Sequence, residues 1–286
     1  MDFTKVQSVG NDFVLVESRE DTFDWKSLAL AMCDRHYGVG SDGLLVLLPS
    51  FKADFRMRIF NADGSEAEAC GNGLRCLVHH LITTGMASSE MLSIETFGGI
   101  RIAQVALINS SPNIKIGMGI PILEPDEIPV EIDSDLGDHI CGMIANYPVE
   151  ANGKQVKLNF VSMGNPHAVC FIDDAVADFP LDVIGPMIER NLMFPKRTNL
   201  EVVRVVDNGN VEMRVWERGV GETLACGTGA CAVAVAGWIL GRTGNRLDIT
   251  LPGGQLTANW SGQGEVYLSG QAETVFTGSW LKYKRD

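Results

Sequence analysis

Two cysteines occupy the same local sequence at two distant places in the chain. Cys70 is followed by Gly71-Asn72-Gly73, and Cys226 is followed by Gly227-Thr228-Gly229. An apolar stretch typical of a helix comes next in both cases, so each thiol is expected at a helix N-terminus. A helix N-terminus offers unpaired N–H groups and the positive end of the helix dipole, which together favour a thiolate and can hold a carboxylate. We therefore expect the pKa of each thiol to be lowered.

Two equivalent acid/base groups suit the inversion of a stereocentre. A base removes the proton from one face of the carbon, and an acid returns a proton to the opposite face. A thiolate and a thiol form a matched pair that exchanges roles when the reaction runs backwards. Two helix N-termini that grip the substrate's carboxylate would stabilise the developing carbanion. The pattern predicts a racemase or epimerase, and no pyridoxal-phosphate signature is evident, so we expect no cofactor.

The other roles open to the cysteines are structural or redox. A cysteine is most often a small buried hydrophobe, and Cys76 and Cys231 are expected to be core residues of this kind. A protein that uses Cys70 and Cys226 as a reversible disulfide is an alternative from a different class, although redox pairs usually share one CxxC motif. The chain has seven cysteines and contains no CxxC pair. A disulfide framework and a structural metal site are therefore not expected.

An internal repeat relates the two cysteine motifs. Met57–Phe60 aligns with Met213–Trp216 at an offset of 213 − 57 = 156 residues, and the same offset aligns Cys70 with Cys226. A duplicated half-chain predicts two similar domains related by a pseudo-twofold axis. We place the first domain at residues 1–118, which contain Cys70, and the second at residues 119–271, which contain Cys226.

The elements around each motif recur in the same order. Alternating or continuous apolar runs predict strands, and longer apolar stretches after the glycines predict helices. The predicted strands and helices are Phe55–Phe60, Leu74–Ile82 and Met91–Thr96 in the first half, and Val211–Trp216, Ala230–Leu240 and Arg246–Leu251 in the second. Each half is thus predicted to be an α+β domain in which a mostly antiparallel sheet wraps around a central helix.

The composition limits the partners of the chain. Its 286 residues are 45% hydrophobic and 21% charged, with a formal net charge of −13, as expected for a globular enzyme with a substantial core. An acidic surface disfavours nucleic acid as a partner. The longest apolar stretch, Ala230–Leu240, is about half of a membrane span. We expect a cytoplasmic protein with a small-molecule substrate and neither a membrane nor a nucleic-acid partner.

Five segments of the chain resemble one known family. They are Gly10-Asn11-Asp12-Phe13, Phe60–Ser65, Ala69–Gly73, Gly164-Asn165-Pro166-His167 and the stretch from Glu217 to Ala230. Their order and spacing are similar to those of the diaminopimelate epimerase family over nearly the whole length. The resemblance implies that family's fold, cofactor-independent conversion of L,L-diaminopimelate to the meso isomer in lysine and cell-wall precursor biosynthesis, and a possible homodimer.

The resemblance also implies roles for individual residues. Cys70 and Cys226 would be the acid/base thiols, with Cys70 serving the L,L isomer, and His167 and Glu217 would orient or polarise the reacting centre. Arg218 would clamp the distal carboxylate. Substrate binding would involve side chains or backbone N–H groups of Asn11, Asn61, Gly71, Asn72, Asn165, Asn199, Glu217, Arg218, Gly227 and Thr228.

Three further expectations follow from the same resemblance. The tail after residue 271 would return to the first domain. Some family members have a substrate-contacting Gln where this chain has Gly43, so that contact would be missing or replaced by water. The nearest alternative is another two-thiol racemase of this fold, acting on proline or hydroxyproline. Asn61, Asn199 and Arg218 favour instead a substrate with a second amino-acid end.

Overall fold

A computed structural model describes residues 1–67, 70–108, 111–133 and 135–281, with only the backbone described at residues 108 and 111. The chain divides into two compact units. Unit 1 contains Met1–Gly117 together with the segment from Ser269 onward, and unit 2 contains Met118–Leu268. Unit 1 is therefore made from two separate stretches of the sequence.

The elements are mainly strands. The first stretch of unit 1 contains β1 (Asp2–Ser8), β2 (Asn11–Glu17), α1 (Trp25–Cys33), β3 (Gly43–Leu48), β4 (Phe55–Asn61), β5 (Glu66–Ala67), α2 (Gly71–Thr83), β6 (Met91–Thr96), β7 (Gly99–Ile108) and β8 (Ser111–Gly117). Unit 2 contains β9 (Asp138–Ile140), β10 (Met143–Ala145), β11 (Tyr147–Ala151), β12 (Lys154–Ser162), β13 (Pro166–Ile172), α3 (Leu181–Glu189), β14 (Asn199–Asp207), β15 (Asn210–Glu217), β16 (Gly221–Thr223), α4 (Gly227–Ile239), β17 (Arg246–Leu251) and β18 (Gly254–Asn259). The last two strands are β19 (Tyr267–Gly270), which contains the boundary between the units, and β20 (Glu273–Ser279) in unit 1.

The strands of unit 1 wrap around α2. β20 pairs with β1, and β1 pairs with β2, both antiparallel. β2 and β3 are parallel, β3 and β4 antiparallel, and β4 continues in parallel to β6. β6, β7 and β8 complete the sheet as an antiparallel meander. Helix α2 contacts strands from both ends of this order, including β1, β8 and β20, and thus forms the centre of the unit.

Unit 2 repeats this arrangement around α4. β12 and β13 are antiparallel, β13 and β14 parallel, and β14 and β15 antiparallel. β15 continues in parallel to β17, which pairs with β18. Helix α4 contacts β12, β13, β14, β17 and β18. The fold-class prediction is confirmed, since each unit is a mostly antiparallel sheet around one helix.

The apolar character of α4 explains its central place. Every residue from Gly229 to Gly237 is buried, and a helix without a polar face must be covered on all sides. In the described part of the chain, no helix combines the length and the apolar character needed to cross a bilayer. In unit 1, strand β3 is likewise covered on both faces, since all six of its residues are buried.

The predicted strands agree closely with the structure, whereas both helices begin earlier than predicted. Helix α2 begins at Gly71 rather than Leu74, and α4 begins at Gly227 rather than Ala230. Glycine is unfavourable in a helix interior. The predicted helices were therefore begun after the glycines of each motif. The two motifs thus form the first turns of the helices rather than loops before them.

Candidate active site

Cys70 is the residue that caps the N-terminus of α2. Its backbone is extended, with φ −141° and ψ 120°, and its carbonyl accepts the first helical hydrogen bond, from the Leu74 N–H at 2.8 Å. Gly71 and Asn72 are therefore the first two helical residues. Their N–H groups have no carbonyl one turn earlier to bind, and they are available to an anion at this end of the helix.

Asn11 links Cys70 to the rest of unit 1. The Cys70 thiol lies 3.9 Å from Asn11 Oδ1, and the same oxygen accepts a hydrogen bond from Asn72 Nδ2 at 3.2 Å. Asn11 Nδ2 donates to Asp42 Oδ2 at 2.8 Å. Asp42 is held in turn by Arg35, whose Nη2 lies 2.9 Å from Asp42 Oδ1. The carboxamide of Asn11 therefore has one defined orientation, with its oxygen towards the thiol.

A buried arginine joins the start of α2 to β1. Arg75 is fully buried, its Nε donates to Ser8 Oγ at 3.1 Å, and its Nη2 donates to Asn72 Oδ1. Ser8 Oγ donates at 2.7 Å to the carbonyl of Gln271, next to β20. Asn72 is thus positioned by a chain of contacts that ends just before the last strand of the unit.

Asn61 lies at the end of β4, opposite Gly43 in β3. Its Nδ2 donates to Ser65 Oγ at 3.0 Å, and the side chain is exposed. A Cβ atom added at Gly43 would lie 2.7 Å from the carbonyl oxygen of Phe60. The two strands therefore approach too closely at this point for a side chain at position 43.

Cys226 caps α4 in the same way as Cys70 caps α2. Its backbone is extended, with φ −124° and ψ 114°, and its carbonyl accepts from the Ala230 N–H at 3.0 Å. The sulfur accepts from the Gly229 N–H at 3.4 Å and lies 3.5 Å from Thr228 Oγ1. Gly227 and Thr228 are the first two helical residues, equivalent to Gly71 and Asn72 in unit 1.

The prediction of a lowered pKa is wrong for Cys226. Burial raises the pKa of this thiol well above 9.0, and the nearby carboxylates of Glu217 and Glu201 raise it further. The hydrogen bonds from Thr228 and the Gly229 N–H lower the pKa, but their effect is smaller. The loss of hydration outweighs the helix N-terminus because a thiolate needs water or several donors, and this site offers few. Cys226 is therefore protonated at neutral pH.

Glu217 is the acidic group beside Cys226. It ends β15, and its Oε1 accepts a hydrogen bond from Thr223 Oγ1. Burial raises the pKa of Glu217, with a further increase from the charge of Glu201, while hydrogen bonds from Thr223 and the Cys226 thiol and the nearby His167 oppose this rise. The Glu217 side chain is thus a hydrogen-bond partner of the Cys226 thiol.

His167 lies within unit 2 in a line of three polar side chains. Its Nδ1 is 2.6 Å from Glu201 Oε1, and its Nε2 is 3.0 Å from Asn165 Oδ1. The side chains of His167 and Glu201 are both fully buried. They are close because β13 and β14 are parallel, with His167 opposite Asn199 in the register. Asn165, just before β13, is the partly exposed end of the line.

Asn199 and Arg218 form the remaining part of the site in unit 2. Asn199 Nδ2 donates to the carbonyl of Pro166 at 2.9 Å, and its Oδ1 accepts from the Arg218 N–H at 2.9 Å. The guanidinium of Arg218 donates to the carbonyl of Lys196 at 3.0 Å, and the residue is exposed. Asn199 therefore fixes the backbone that carries Arg218 and leaves the guanidinium at the surface, where it can bind a carboxylate.

The predicted residues thus gather into two clusters, one in each unit. Unit 1 brings together Cys70, Asn11 and the first turn of α2, with Asn61 at the end of a neighbouring strand. Unit 2 brings together its predicted residues Asn165, His167, Asn199, Glu217, Arg218, Cys226, Gly227 and Thr228. In the described ranges, no group of three or more His, Cys, Asp or Glu side chains is arranged to hold a metal ion.

Similarity to known proteins places these clusters in a family. The family model described as diaminopimelate epimerase matches residues 3–123 and 159–275. The chain belongs to the diaminopimelate epimerase family. A diaminopimelate epimerase of Acetivibrio thermocellus is 44% identical over 281 residues, which are 97% of this chain and 98% of that protein. One from Pelotomaculum thermopropionicum is 45% identical over 284 residues, covering 98% and 99%.

Solved structures support the epimerase-type fold at lower identity. A phenazine biosynthesis protein of the PhzF family from Bacillus anthracis has a TM-score of 0.71 at 15% identity, covering 97% of this chain and 98% of that one. A hydroxyproline epimerase from Agrobacterium vitis with bound trans-4-hydroxy-L-proline has a TM-score of 0.68 at 14% identity, covering 97% and 90%. At these identities the similarity concerns the fold alone.

Neither the sequence patterns nor the resemblance to the diaminopimelate epimerase family identified every side chain of the two clusters. Sequence reasoning missed Asp42, Arg75, Glu201 and Thr223. A signal existed for two of them, since Glu201 interrupts the apolar run of β14 and Arg75 interrupts the buried face of α2. A charged residue in a buried pattern needs a partner. No sequence spacing indicated that those partners would be His167 and Asn72.

Proposed function

We propose that the chain epimerises L,L-diaminopimelate to the meso isomer by moving the α-proton between Cys70 and Cys226, without a cofactor. The observation that carries this proposal is that each cysteine caps a helix N-terminus at the same point of a repeated topology, in a chain of the diaminopimelate epimerase family. The mechanism requires the two thiols to reach opposite faces of one α-carbon.

The protonation state of Cys226 supports one direction for the first proton transfer. Burial and two carboxylates keep Cys226 as a thiol, so Cys226 is the acid that donates to the carbanion. Cys70, next to the oxygen of Asn11 and the first turn of α2, is then the base that takes the proton from the L,L isomer. After turnover Cys70 is the thiol and Cys226 the thiolate. The starting state returns when Cys226 regains a proton, which the neighbouring Glu217 can pass to it, and Cys70 releases one to solvent.

Both carboxylates of the substrate have partners in this scheme. The N–H groups of Gly71, Asn72, Gly227 and Thr228 bind the carboxylate next to the reacting carbon and stabilise the negative charge that develops there. Arg218 binds the distal carboxylate, while Asn11, Asn61, Asn165 and Asn199 hydrogen-bond the polar groups of the substrate. His167 orients this set through Asn165.

The setting of the reaction completes the proposal. We assign the enzyme to lysine and cell-wall precursor biosynthesis in the cytoplasm. We also propose that it is a homodimer, which a molar mass from light scattering would test. We also propose that the units are duplicated domains, residues 1–118 and 119–271, with the tail, residues 272–286, returned to the first; residues 282–286 of that tail lie outside the described residues. The repeated strand order and the pairing of β20 with β1 support that assignment.

Proton exchange in D₂O tests the reaction directly. Incubation with L,L-diaminopimelate and a reductant, without added cofactor, is expected to exchange the α-proton and produce the meso isomer, as followed by NMR. Cys70→Ser and Cys226→Ser are each expected to lower kcat by at least about 100-fold, since a serine hydroxyl is a far weaker acid/base at neutral pH. Cys141→Ser, which changes an exposed cysteine outside both clusters, is the matched control.

The same experiment separates the alternatives. Exchange with proline or hydroxyproline but not with diaminopimelate would assign the chain to the other two-thiol racemases. Activity that survives quantitative oxidation of Cys70 and Cys226 would contradict the two-thiol mechanism and favour a redox protein. Full activity of either serine variant would reject the catalytic role of that thiol, but it would not change the assignment of the substrate.

A further inference from the structure

Glu201 is a buried acid for which the proposed proton transfer has no direct use. It lies on β14 with its side chain fully buried, and its Oε1 is 2.6 Å from His167 Nδ1. Its second oxygen, Oε2, is buried without a hydrogen-bond partner in the described residues. Burying a carboxylate with incomplete hydrogen bonding costs several kcal/mol. A residue with this cost and no packing advantage over an apolar side chain needs a functional explanation.

The contacts of Glu201 lead to a substrate-binding residue. A carboxylate at Nδ1 holds a proton on that nitrogen and fixes the plane of the imidazole ring. The opposite nitrogen, Nε2, lies 3.0 Å from Asn165 Oδ1. An amide oxygen only accepts, so Nε2 donates in this contact and both ring nitrogens carry a proton. The contact thus occupies the oxygen of the carboxamide and leaves Nδ2 of Asn165 as the group available to a ligand. Because His167 is itself fully buried, its influence reaches a ligand through Asn165.

Glu201 also supports the start of α4. A Cβ atom at Gly229 would lie 2.6 Å from Glu201 Oε1 and 3.2 Å from its Cγ. The first turn of the helix therefore lies directly against the carboxylate. Gly229 is the residue whose N–H binds the sulfur of Cys226. One side chain thus sets the position of both the thiol-bearing turn and the His167–Asn165 pair.

We propose that Glu201 is a positioning residue of the epimerase site, which holds His167 and through it aims the carboxamide Nδ2 of Asn165 at the substrate. This inference rests on the proposed function for the identity of the substrate, but the Glu201–His167–Asn165 arrangement is independent of it. The nearby negative charge also helps to keep Cys226 protonated, after burial and Glu217. Glu201 touches no reacting atom in this scheme.

Imidazole ¹⁵N NMR tests the arrangement without an activity assay. In the wild type, Nδ1 of His167 is expected to carry a proton with the low-field ¹H shift of a strong hydrogen bond to a carboxylate. Glu201→Gln is expected to lose that shift, because a neutral amide is a weaker acceptor. A wild-type spectrum in which Nδ1 has no proton overturns the proposal, whether or not any variant folds.

Steady-state kinetics test the consequence for the substrate. Glu201→Gln is expected to lower kcat/KM for diaminopimelate by roughly 10- to 100-fold. An effect of this size is typical when a residue that orients a ligand-binding side chain is lost. The matched control is Glu189→Gln, since Glu189 is another buried acid of unit 2 but accepts hydrogen bonds from Trp216 Nε1 and the Gly219 N–H instead. The control is expected to leave the His167 signals unchanged. Wild-type kcat/KM in Glu201→Gln overturns the proposal.

A double-mutant cycle tests the route through Asn165. If Glu201 acts through Asn165, Glu201→Gln combined with Asn165→Ala should lower kcat/KM no further than the more harmful single change. Losses that multiply would overturn this route. A wild type that fails to epimerise diaminopimelate would reject the proposed function, while the His167 spectrum would still decide the arrangement of the three residues.

Discussion

Cys226 lies between groups that shift its pKa in opposite directions. The Gly229 N–H and Thr228 stabilise the thiolate, whereas burial and the carboxylates of Glu217 and Glu201 destabilise it. The second set is stronger, so the thiol keeps its proton until a substrate changes the charge around it. A resting acid in one unit is what a two-thiol mechanism needs, because two thiolates could remove the α-proton but could not return a proton to the opposite face.

Glu217→Gln is expected to lower the pKa of Cys226. The carboxylate of Glu217 raises that pKa by repulsion of the thiolate, and a neutral amide of the same shape removes the repulsion. The thiolate absorbance in a pH titration, read as the difference from the same variant with Cys226→Ser, would measure the change. Glu222→Gln, on neighbouring β16 and paired with Arg214, is the control and should leave the titration unchanged. An unaltered titration in Glu217→Gln would contradict the assigned cause.

The cysteine pair was predictable from sequence because the duplication marks it twice. The charge state of Cys226 was not, since it depends first on burial, then on Glu217 and Glu201. Glu201 lies 226 − 201 = 25 residues earlier and becomes a neighbour only through the pairing of β13, β14 and β15. The local sequence indicates the helix N-terminus, which lowers the pKa of Cys226, but it does not indicate the burial, which raises that pKa. The pKa prediction for Cys226 therefore failed because it left out contacts with residues that are distant in the sequence.

The two cysteine-capped helices show how element boundaries depend on packing. Glycines at the start of α4 disfavour a helix in isolation, yet the helix begins at Gly227 because its first turn packs against β14. Gly229 has a steric reason as well, since Glu201 occupies the space where its side chain would be. The strands were easier to predict, because each alternates or remains apolar within itself and needs no distant partner to reveal it.

Gly229→Ala is expected to displace the first turn of α4 or the Glu201 side chain. The added methyl group would lie 2.6 Å from Glu201 Oε1, and such crowding typically costs about 1–3 kcal/mol of unfolding free energy. Urea denaturation would measure that cost, and kcat should fall with it. Gly209→Ala is the control, because a Cβ atom there would meet only Asp207 Oδ1 at 3.7 Å. Equal stability of the two variants would contradict the close contact.

At the scale of the whole molecule, buried thiols make stability sensitive to alkali. Burial raises the pKa of Cys33, Cys76, Cys170 and Cys226, which are distributed over both units. For Cys170 the folded pKa is about 11, against an ordinary value of 9.0. Below pH 9.0 both folded and unfolded states hold the proton, and the stabilisation is complete. Above it the unfolded state releases the proton first, so the stabilisation is lost as the pH rises towards the folded value.

The free energy of unfolding is therefore expected to fall between pH 9.0 and about 11. Each such thiol contributes a slope of up to about 1.4 kcal/mol per pH unit in this range. Urea midpoints measured across the range in wild type and Cys170→Ala would isolate one contribution, with a shallower decline expected in the variant. Cys141→Ala, at an exposed position, should follow the wild type. Parallel curves for wild type and Cys170→Ala would contradict the buried-thiol explanation.

The pairing of β20 with β1 has a consequence for how the protein is made. The ribosome completes β1, α2 and all of unit 2 before it reaches Glu273–Ser279, and domains generally fold in the order of their synthesis. Until then β1 lacks one of its two neighbouring strands, and Ser8 lacks the Gln271 carbonyl to which it donates. Ser8 holds Arg75, and Arg75 holds Asn72 beside Cys70. A nascent chain thus carries both thiols before it has the strand that anchors the first of them, and the synthesis of β20 is the step that allows unit 1 to be completed.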